Sequence, residues 1–346
     1  MKKIFTCIIT LLVINSAYAE LEWSKSDGWQ MKVKSGALSH YMGDELDGNA
    51  IELMNKAKAA QESGNKNQYS KAINSYNVVI KKYPKSEFAP EALYQKGVLL
   101  TEQHRYSDAF ESFEGVVTDY PEYPKFNKVI GAQFHVASHL MEGKRPHYWG
   151  VIPGFRSYKD AHNYFERVVK NAPNSEYAPM ALMNMGMLAE KNNKKPDAID
   201  AFKQLIEDYP QSILAPDAHL KLAQTYQSSV KGAEYDQNST LHSINYYNQF
   251  LLLYQDNPQV EKAEQGLKKM EETLAESKLS QGDFYYNKRN NPEAAIIYYN
   301  QAISIAPKSR IAELAKLQLD KVHRNVEPPK TIADHVFGRY DKKKGY

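Results

Sequence analysis

In KAINSYNVVIKKYP, Lys71 to Pro84, apolar residues return every three or four positions, the spacing that lines one face of an α-helix. Pro84 ends the helix, because proline lacks the N–H of the helical ladder and disfavours helical backbone in the residue before it. The same alternation of apolar stripe and breaker continues along most of the chain. It predicts helices at 50–63, 67–82, 87–103, 106–119, 125–142, 158–171 and 176–191, and then at 195–208, 214–229, 240–254, 259–289, 292–305 and 310–324. Ser86, Ser175, Ser212 and Ser309 each stand two residues past a proline, where a hydroxyl can cap the next helix. Ala89-Pro90, Ala178-Pro179 and Ala215-Pro216 fall in first turns, where the backbone N–H groups have no intrahelical partner to lose.

Six segments share one frame: a small residue, an aromatic four later, then an aromatic or alanine eleven later, usually followed by proline. They are Ala72/Tyr76/Tyr83-Pro84, Ala109/Phe113/Tyr120-Pro121, Ala161/Phe165/Ala172-Pro173, Ala198/Phe202/Tyr209-Pro210, Ser243/Tyr247/Tyr254 and Ala295/Tyr299/Ala306-Pro307. The anchors are 37, 52, 37, 45 and 52 residues apart, so the unit is about 34 to 37 residues with insertions, the period of tetratricopeptide helix hairpins. One hairpin cannot cover its own apolar face, so neighbours must stack. The fold expected is all-α, an α-solenoid of about six such hairpins over 49–325, with a C-terminal closing helix.

The N-terminal end has a different pattern. Met1 to Lys3 is basic, Ile4 to Ile14 apolar, and Ala17-Tyr18-Ala19 offers a small-x-small cleavage site, which predicts a cleaved export signal over 1–19. The lone cysteine, Cys7, lies inside it and follows Thr6, so lipid attachment is not expected. A mature chain without cysteine excludes disulfides, thiol nucleophiles and cysteine-based zinc sites. Removing Lys2 and Lys3 leaves 42 basic against 41 acidic residues, a balance that gives no electrostatic footprint for nucleic acid. Residues 20–48 read as an extended arm, and 326–346 as a flexible basic tail.

The phrases YPKSEFAPEALYQKG and YPQSILAPDAHLKLA resemble bacterial envelope tetratricopeptide proteins. Residues 267–309 narrow the resemblance, through Leu274-Ala275-Glu276, Tyr285-Tyr286, Lys288-Arg289 and Ala294-Ala295. This stretch looks like the C-terminal half of the outer-membrane protein assembly factor BamD family, and the likeness extends over roughly 50–322. It implies a non-enzymatic periplasmic scaffold at the inner face of the outer membrane, with unfolded outer-membrane proteins as clients and the β-barrel insertase as partner. It implies no cofactor. Without a lipid anchor, retention at the membrane would come from protein contacts.

On this reading Tyr94, Leu99, Phe134, His135 and Met185, from first helices, are candidates for a client groove. Tyr285, Lys288, Arg289 and Tyr298 are candidates for docking the insertase. The insert from Glu142 to Asp160 is the least repeat-like segment, and Arg145, Tyr148, Trp149, Phe155 and Arg156 suit either partner contact or a loop that folds back over its own aromatics. His135, His139 and Glu142 could share a helix face as metal ligands, yet HVASH lacks the glutamate of a zinc protease, and packing roles are expected. Two other readings compete: an envelope coordinator linking peptidoglycan synthesis to outer-membrane constriction, and an exported metal-dependent enzyme. The first usually begins with a coiled coil, and residues 20–50 hold no heptad run. The second finds no phosphate loop, paired-carboxylate signature or nucleophile elbow to support it.

Overall fold

The computed structural model describes residues 19–33, 44–148, 152–233, 237–324 and 326–327. All but the last residue of the expected export signal, and nearly all of the basic tail, lie outside the described residues.

The chain forms two compact units, residues up to Tyr177 and residues from Ala178. Unit 1 opens with an antiparallel hairpin, β1 (Ala19–Ser24) and β2 (Gly28–Val33). Six helices follow: α1 (Asp44–Glu62), α2 (Lys66–Lys82), α3 (Phe88–Glu102), α4 (Tyr106–Asp119), α5 (Phe126–Met141) and α6 (Tyr158–Asn171). A second small hairpin, β3 (His147–Tyr148) with β4 (Ile152–Pro153), stands between α5 and α6. Unit 2 is built from α7 (Tyr177–Lys191), α8 (Lys195–Asp208), α9 (Ala215–Ser229), α10 (Gln237–Leu253), α11 (Val260–Asn287), α12 (Pro292–Ile305) and α13 (Arg310–His323). In both units helices pack against their sequence neighbours, α1 on α2, α3 on α4 and α5 on α6, then α9 on α10 and α11 on α12, with α13 closing against α12. This is the stacked-hairpin, all-α arrangement that the periodicity predicts.

The repeat frame is the core. Ala72, Ala109, Ala161, Ala198 and Ala295 are fully buried, as are Tyr76, Phe113, Phe165, Phe202, Tyr247 and Tyr299. Ser243, the one non-alanine, donates its hydroxyl to the Ala223 carbonyl at 2.9 Å and so buries no unpaired group. The close approach of paired helices depends as much on glycines that the frame does not contain. A Cβ on Gly97 would stand 2.4 Å from the Phe113 ring, and one on Gly186 would stand 2.3 Å from Phe202.

Two expectations change. The arm over 20–48 contains the β1–β2 hairpin, and helix α1 begins at Asp44 rather than near residue 50. The cause is in the sequence: apolar Leu21 and Trp23 alternate with polar residues, and Asp27-Gly28 supplies the turn, with Gly28 at φ +71°. Trp29, on β2, is buried, and its backbone N–H donates to Asn55 Oδ1 at 2.7 Å, which ties the strand pair to α1. The four serines also divide. Ser309 caps α13 by accepting from the Ala312 N–H, whereas Ser86 and Ser212 accept from the N–H two residues on. Ser175 instead donates to the Ala172 carbonyl.

Candidate protein-interaction surfaces

The first helices of unit 1 carry four of the groove candidates, and the structure sorts them. Leu99 is fully buried core and offers no surface. Tyr94 is nearly buried, its ring centroid 5.8 Å from Phe113 with the Lys128 ammonium 5.2 Å above it. Phe134 is half-buried, its centroid 5.5 Å from both Phe165 and Tyr177, and His135 beside it is exposed. Met185, in unit 2, is nearly buried. Phe134 and His135 are therefore the members of the set with side chains open to a ligand.

Two polar networks in unit 1 escaped sequence reasoning. Glu91 on α3 is only 1% exposed, yet accepts from the Tyr123 hydroxyl, from Gln95 Nε2 at 2.8 Å and from Lys125 Nζ at 3.1 Å. Burial, with the Glu91 charge beside it, drives the Tyr123 phenol well above its ordinary range, so the hydroxyl stays a donor. Lys125 also lies 5.6 Å from the Trp29 ring and so joins the N-terminal hairpin to this carboxylate. The second network centres on Glu114, which accepts from Gln133 Nε2 at 2.6 Å and Asn171 Nδ2 at 2.7 Å, with Arg167 Nη2 at 3.3 Å. Arg167 reaches Glu111 as well, at 2.8 Å, and its guanidinium sits 4.6 Å from the Phe110 centroid. A Glu in a first helix is no signal alone; only the fold reveals that Tyr123 and Lys125, more than thirty residues on, converge on it.

The insert is a hairpin rather than an open loop. It is anchored where the His147 N–H donates to the His104 carbonyl at 2.8 Å, with the two imidazoles 4.8 Å apart. Of the contact candidates, Arg145 and Arg156 are exposed, and Phe155 is 87% exposed, so the phenyl ring is not folded under the insert. Tyr148 lies in β3, and Trp149 falls outside the described residues. His139 Nδ1 is 2.7 Å from Lys144 Nζ and 3.8 Å from Glu142 Oε2, and burial together with the Lys144 charge lowers its pKa. His135 lies edge-on to Phe134, with ring centroids 6.0 Å apart, and its charge also contributes to lowering the His139 pKa. Among the described residues no three His, Cys, Asp or Glu side chains converge as metal ligands.

In unit 2 the docking candidates form one aromatic patch across α11 and α12. Tyr285 and Tyr298 stack with centroids 5.3 Å apart and planes 9° from parallel. Arg289 lies 5.5 Å from the Phe284 ring and Lys278 5.9 Å from Tyr298. Lys288 and Arg289 are exposed, as are Phe284 and Ile297, the last at 57%. Exposed apolar area rimmed by cations is the composition of a protein-binding surface more than of a solvated helix face.

A family model described as "Outer membrane lipoprotein" (YfiO) matches residues 52–195, and two tetratricopeptide repeat models match 180–212 and 275–309. Over 52–195 the chain is similar to the BamD-type outer-membrane lipoproteins, and it carries tetratricopeptide repeats. The family match falls on α1 to α7, while the stretch over 267–309 that carried the sequence resemblance answers to the general repeat model. No curated protein matches this chain. Similar solved structures include a tetratricopeptide repeat protein from Parabacteroides merdae ATCC 43184, with 14% identity, 80% of this chain and 99% of that one covered, and a TM-score of 0.33. MamA from Desulfovibrio magneticus RS-1 shares 18% identity over 63% of this chain and 99% of its own, with a TM-score of 0.32. A thermophilic tetratricopeptide protein from Thermus thermophilus shares 14% over 62% and 98%, with a TM-score of 0.30. Family and repeat together support a protein-interaction scaffold associated with the cell envelope. No helix among the described residues is long and apolar enough to cross a membrane.

Proposed function

We propose that this BamD-like chain is a periplasmic scaffold for assembly of β-barrel proteins into the outer membrane, acting by binding and not by catalysis. The observation that carries the proposal is the outer-membrane lipoprotein match over residues 52–195. In this reading Phe134 and His135 present the client-binding face of unit 1, with Tyr94 packed behind them. The hairpin bearing Arg145, Phe155 and Arg156 is a second partner contact. Tyr285, Lys288, Arg289 and Tyr298 dock the insertase. In this reading protein contacts hold the chain at the inner face of the outer membrane.

Affinity capture of the tagged full chain from envelope membranes tests this. A β-barrel insertase should be recovered, and Tyr285→Ala with Arg289→Ala should reduce its yield while leaving the circular dichroism of the chain unchanged. Recovery of peptidoglycan-synthesis or constriction factors in its place would overturn the proposal in favour of the envelope-coordinator reading.

A further inference from the structure

Between α5 and α6 the chain changes composition. From Gly143 to Lys159 it has four cations, Lys144, Arg145, Arg156 and Lys159, and no aspartate or glutamate, in a protein with 41 acidic residues. All four cations are exposed. Among them stand two apolar side chains that the core does not take: Phe155 is 87% exposed and Ile152 is 52% exposed. Lys144 is paired at 3.1 Å with Glu142, just before the stretch, whereas Arg145, Arg156 and Lys159 enter no ion pair among the described residues.

The segment is fastened at its base, so these groups are held outward. The Lys144 N–H donates to the His139 carbonyl at 3.0 Å at the end of α5, and the His147 N–H to the His104 carbonyl at 2.8 Å in the α3–α4 turn. Ser157 caps α6 by accepting from the Asp160 N–H at 3.2 Å. His147 pairs with Pro153, and the Gly154 N–H donates to the Pro146 carbonyl at 2.6 Å. Continued toward the base, this register sets Phe155 opposite Arg145 and Arg156 opposite Lys144. Gly143, at φ +82°, lets the two sides close: a Cβ there would stand 3.4 Å from Arg156 Nε. An exposed ring and its neighbouring cations therefore share one anchored hairpin.

Such a tip needs a partner that is apolar within and anionic at its edge. An acidic protein patch would meet the cations but would have to supply a fitted pocket for the Phe155 ring. An anionic bilayer offers both at once: the boundary of its acyl chains takes the ring, and its phosphates accept from guanidinium and ammonium groups that reach back to the surface. We propose that this hairpin docks on an anionic phospholipid surface, with Phe155 and Ile152 entering the interface and Arg145, Arg156 and Lys159 binding lipid phosphates. The inference rests on the envelope reading above and names the partner of a hairpin whose partner that reading leaves open. It adds a lipid contact of the chain's own to the protein contacts at the membrane. The docking is reversible, since each basic residue near an anionic surface contributes only about fivefold in affinity.

The test is sedimentation of the processed chain, without the apolar stretch of 1–19 that would bind lipid by itself, with vesicles of phosphatidylcholine alone or mixed equally with phosphatidylglycerol. Binding should be about tenfold tighter on the mixed vesicles and should weaken as salt is raised. Arg145→Gln with Arg156→Gln should lose at least about tenfold, whereas Lys82→Gln with Lys85→Gln, an equal charge change at the exposed α2–α3 connection, should stay within about twofold. Phe155→Ser changes no charge and should still cost about fivefold. All are exposed positions, and circular dichroism of each variant confirms that the fold is kept. With Cys7 removed along with the signal, Phe155→Cys supplies the one thiol, and an environment-sensitive fluorophore attached there should shift to the blue on mixed vesicles and be quenched by lipids brominated in their acyl chains. Equal binding to the two vesicles, unchanged binding of the arginine variant, or a label whose emission does not move overturns the proposal. Loss of insertase capture from detergent by the arginine variant, with vesicle binding kept, overturns it in favour of a protein partner for the hairpin. The vesicles contain no protein, so failure on them leaves insertase capture through Tyr285 and Arg289 standing as a separate result.

Discussion

Unit 1 ties two of its carboxylates down: Glu114 is bonded to Gln133, Asn171 and Arg167, and the buried Glu91 holds Lys125 and Tyr123. Unit 2 leaves comparable groups open, with Lys262 and Lys269 outside any ion pair among the described residues and Phe284, Ile297 and Leu317 exposed. Both are built from one helix hairpin with one buried frame. The frame thus fixes the stacking, and the positions outside it decide whether a face is sealed or offered to a partner.

The largest effects should come from the frame, and they should be alike in the two units. Phe113→Ala and Phe202→Ala each remove a fully buried ring, at a cost of about 3–5 kcal/mol. Gly97→Ala and Gly186→Ala force a methyl into that ring's place, at about 1–3 kcal/mol despite the gain in helix propensity. Combining the pair, Gly97→Ala with Phe113→Ala, should cost less than the sum, because the new methyl occupies space the ring has left. Urea unfolding of the four-member cycle measures the coupling, and strict additivity would refute direct ring-on-glycine packing. The three tryptophans, Trp23, Trp29 and Trp149, all belong to unit 1, so their emission should follow the Gly97 cycle and not the Gly186 one.

Next is the buried carboxylate, which has no counterpart among the described residues of unit 2. Glu91→Leu removes the acceptor of the Tyr123 hydroxyl and the ion-pair partner of Lys125, and should destabilise by about 1–3 kcal/mol, with Glu91→Gln costing less. Because Lys125 also faces Trp29, the leucine variant should shift tryptophan emission before global unfolding. An unaltered emission maximum would argue against the link between hairpin and network.

The helices are legible because each one writes its stripe, its breaker and its small residue locally; 106–119, 158–171, 195–208 and 292–305 stand where periodicity puts them. What stays hidden depends on distant partners. Gly97 and Gly186 look like helix weaknesses until the second helix lays a ring on them. Leu99, apolar on a first helix, reads as groove lining, and burial alone shows it to be core. The Asp27-Gly28 turn is written in the chain but gives a weak signal, because its flanking strands are only six residues each.

Acid should separate the units more gently. Burial lowers the His219 pKa in unit 2, and its buried Nδ1 has no hydrogen-bond partner among the described residues. In unit 1, burial and Lys144 lower that of the more exposed His139. A folded value below the unfolded one, about 6.5, means the unfolded chain takes up more protons as pH falls through that window, so stability declines on acidification. Urea midpoints by circular dichroism should drop between pH 7.5 and 5.5, and His219→Phe should flatten the decline more than His139→Phe. Equal slopes in the two variants would show that burial at His219 is relieved by local opening.

The smallest effect tests whether the fifth repeat is truly an exception. Every other frame carries alanine where Ser243 stands, and its hydroxyl adds one bond to the Ala223 carbonyl. Ser243→Ala forfeits a hydrogen bond with a net contribution of about 0.5–1.5 kcal/mol, but the carbonyl left behind belongs to helix α9 and keeps its place in the backbone ladder. Alanine also returns a few tenths of a kcal/mol in helix propensity. The two nearly cancel, so the variant should unfold within about 1 kcal/mol of the parent. A larger loss would mean that this hydroxyl, and not the small side-chain volume the frame demands, sets the approach of α10 to α9.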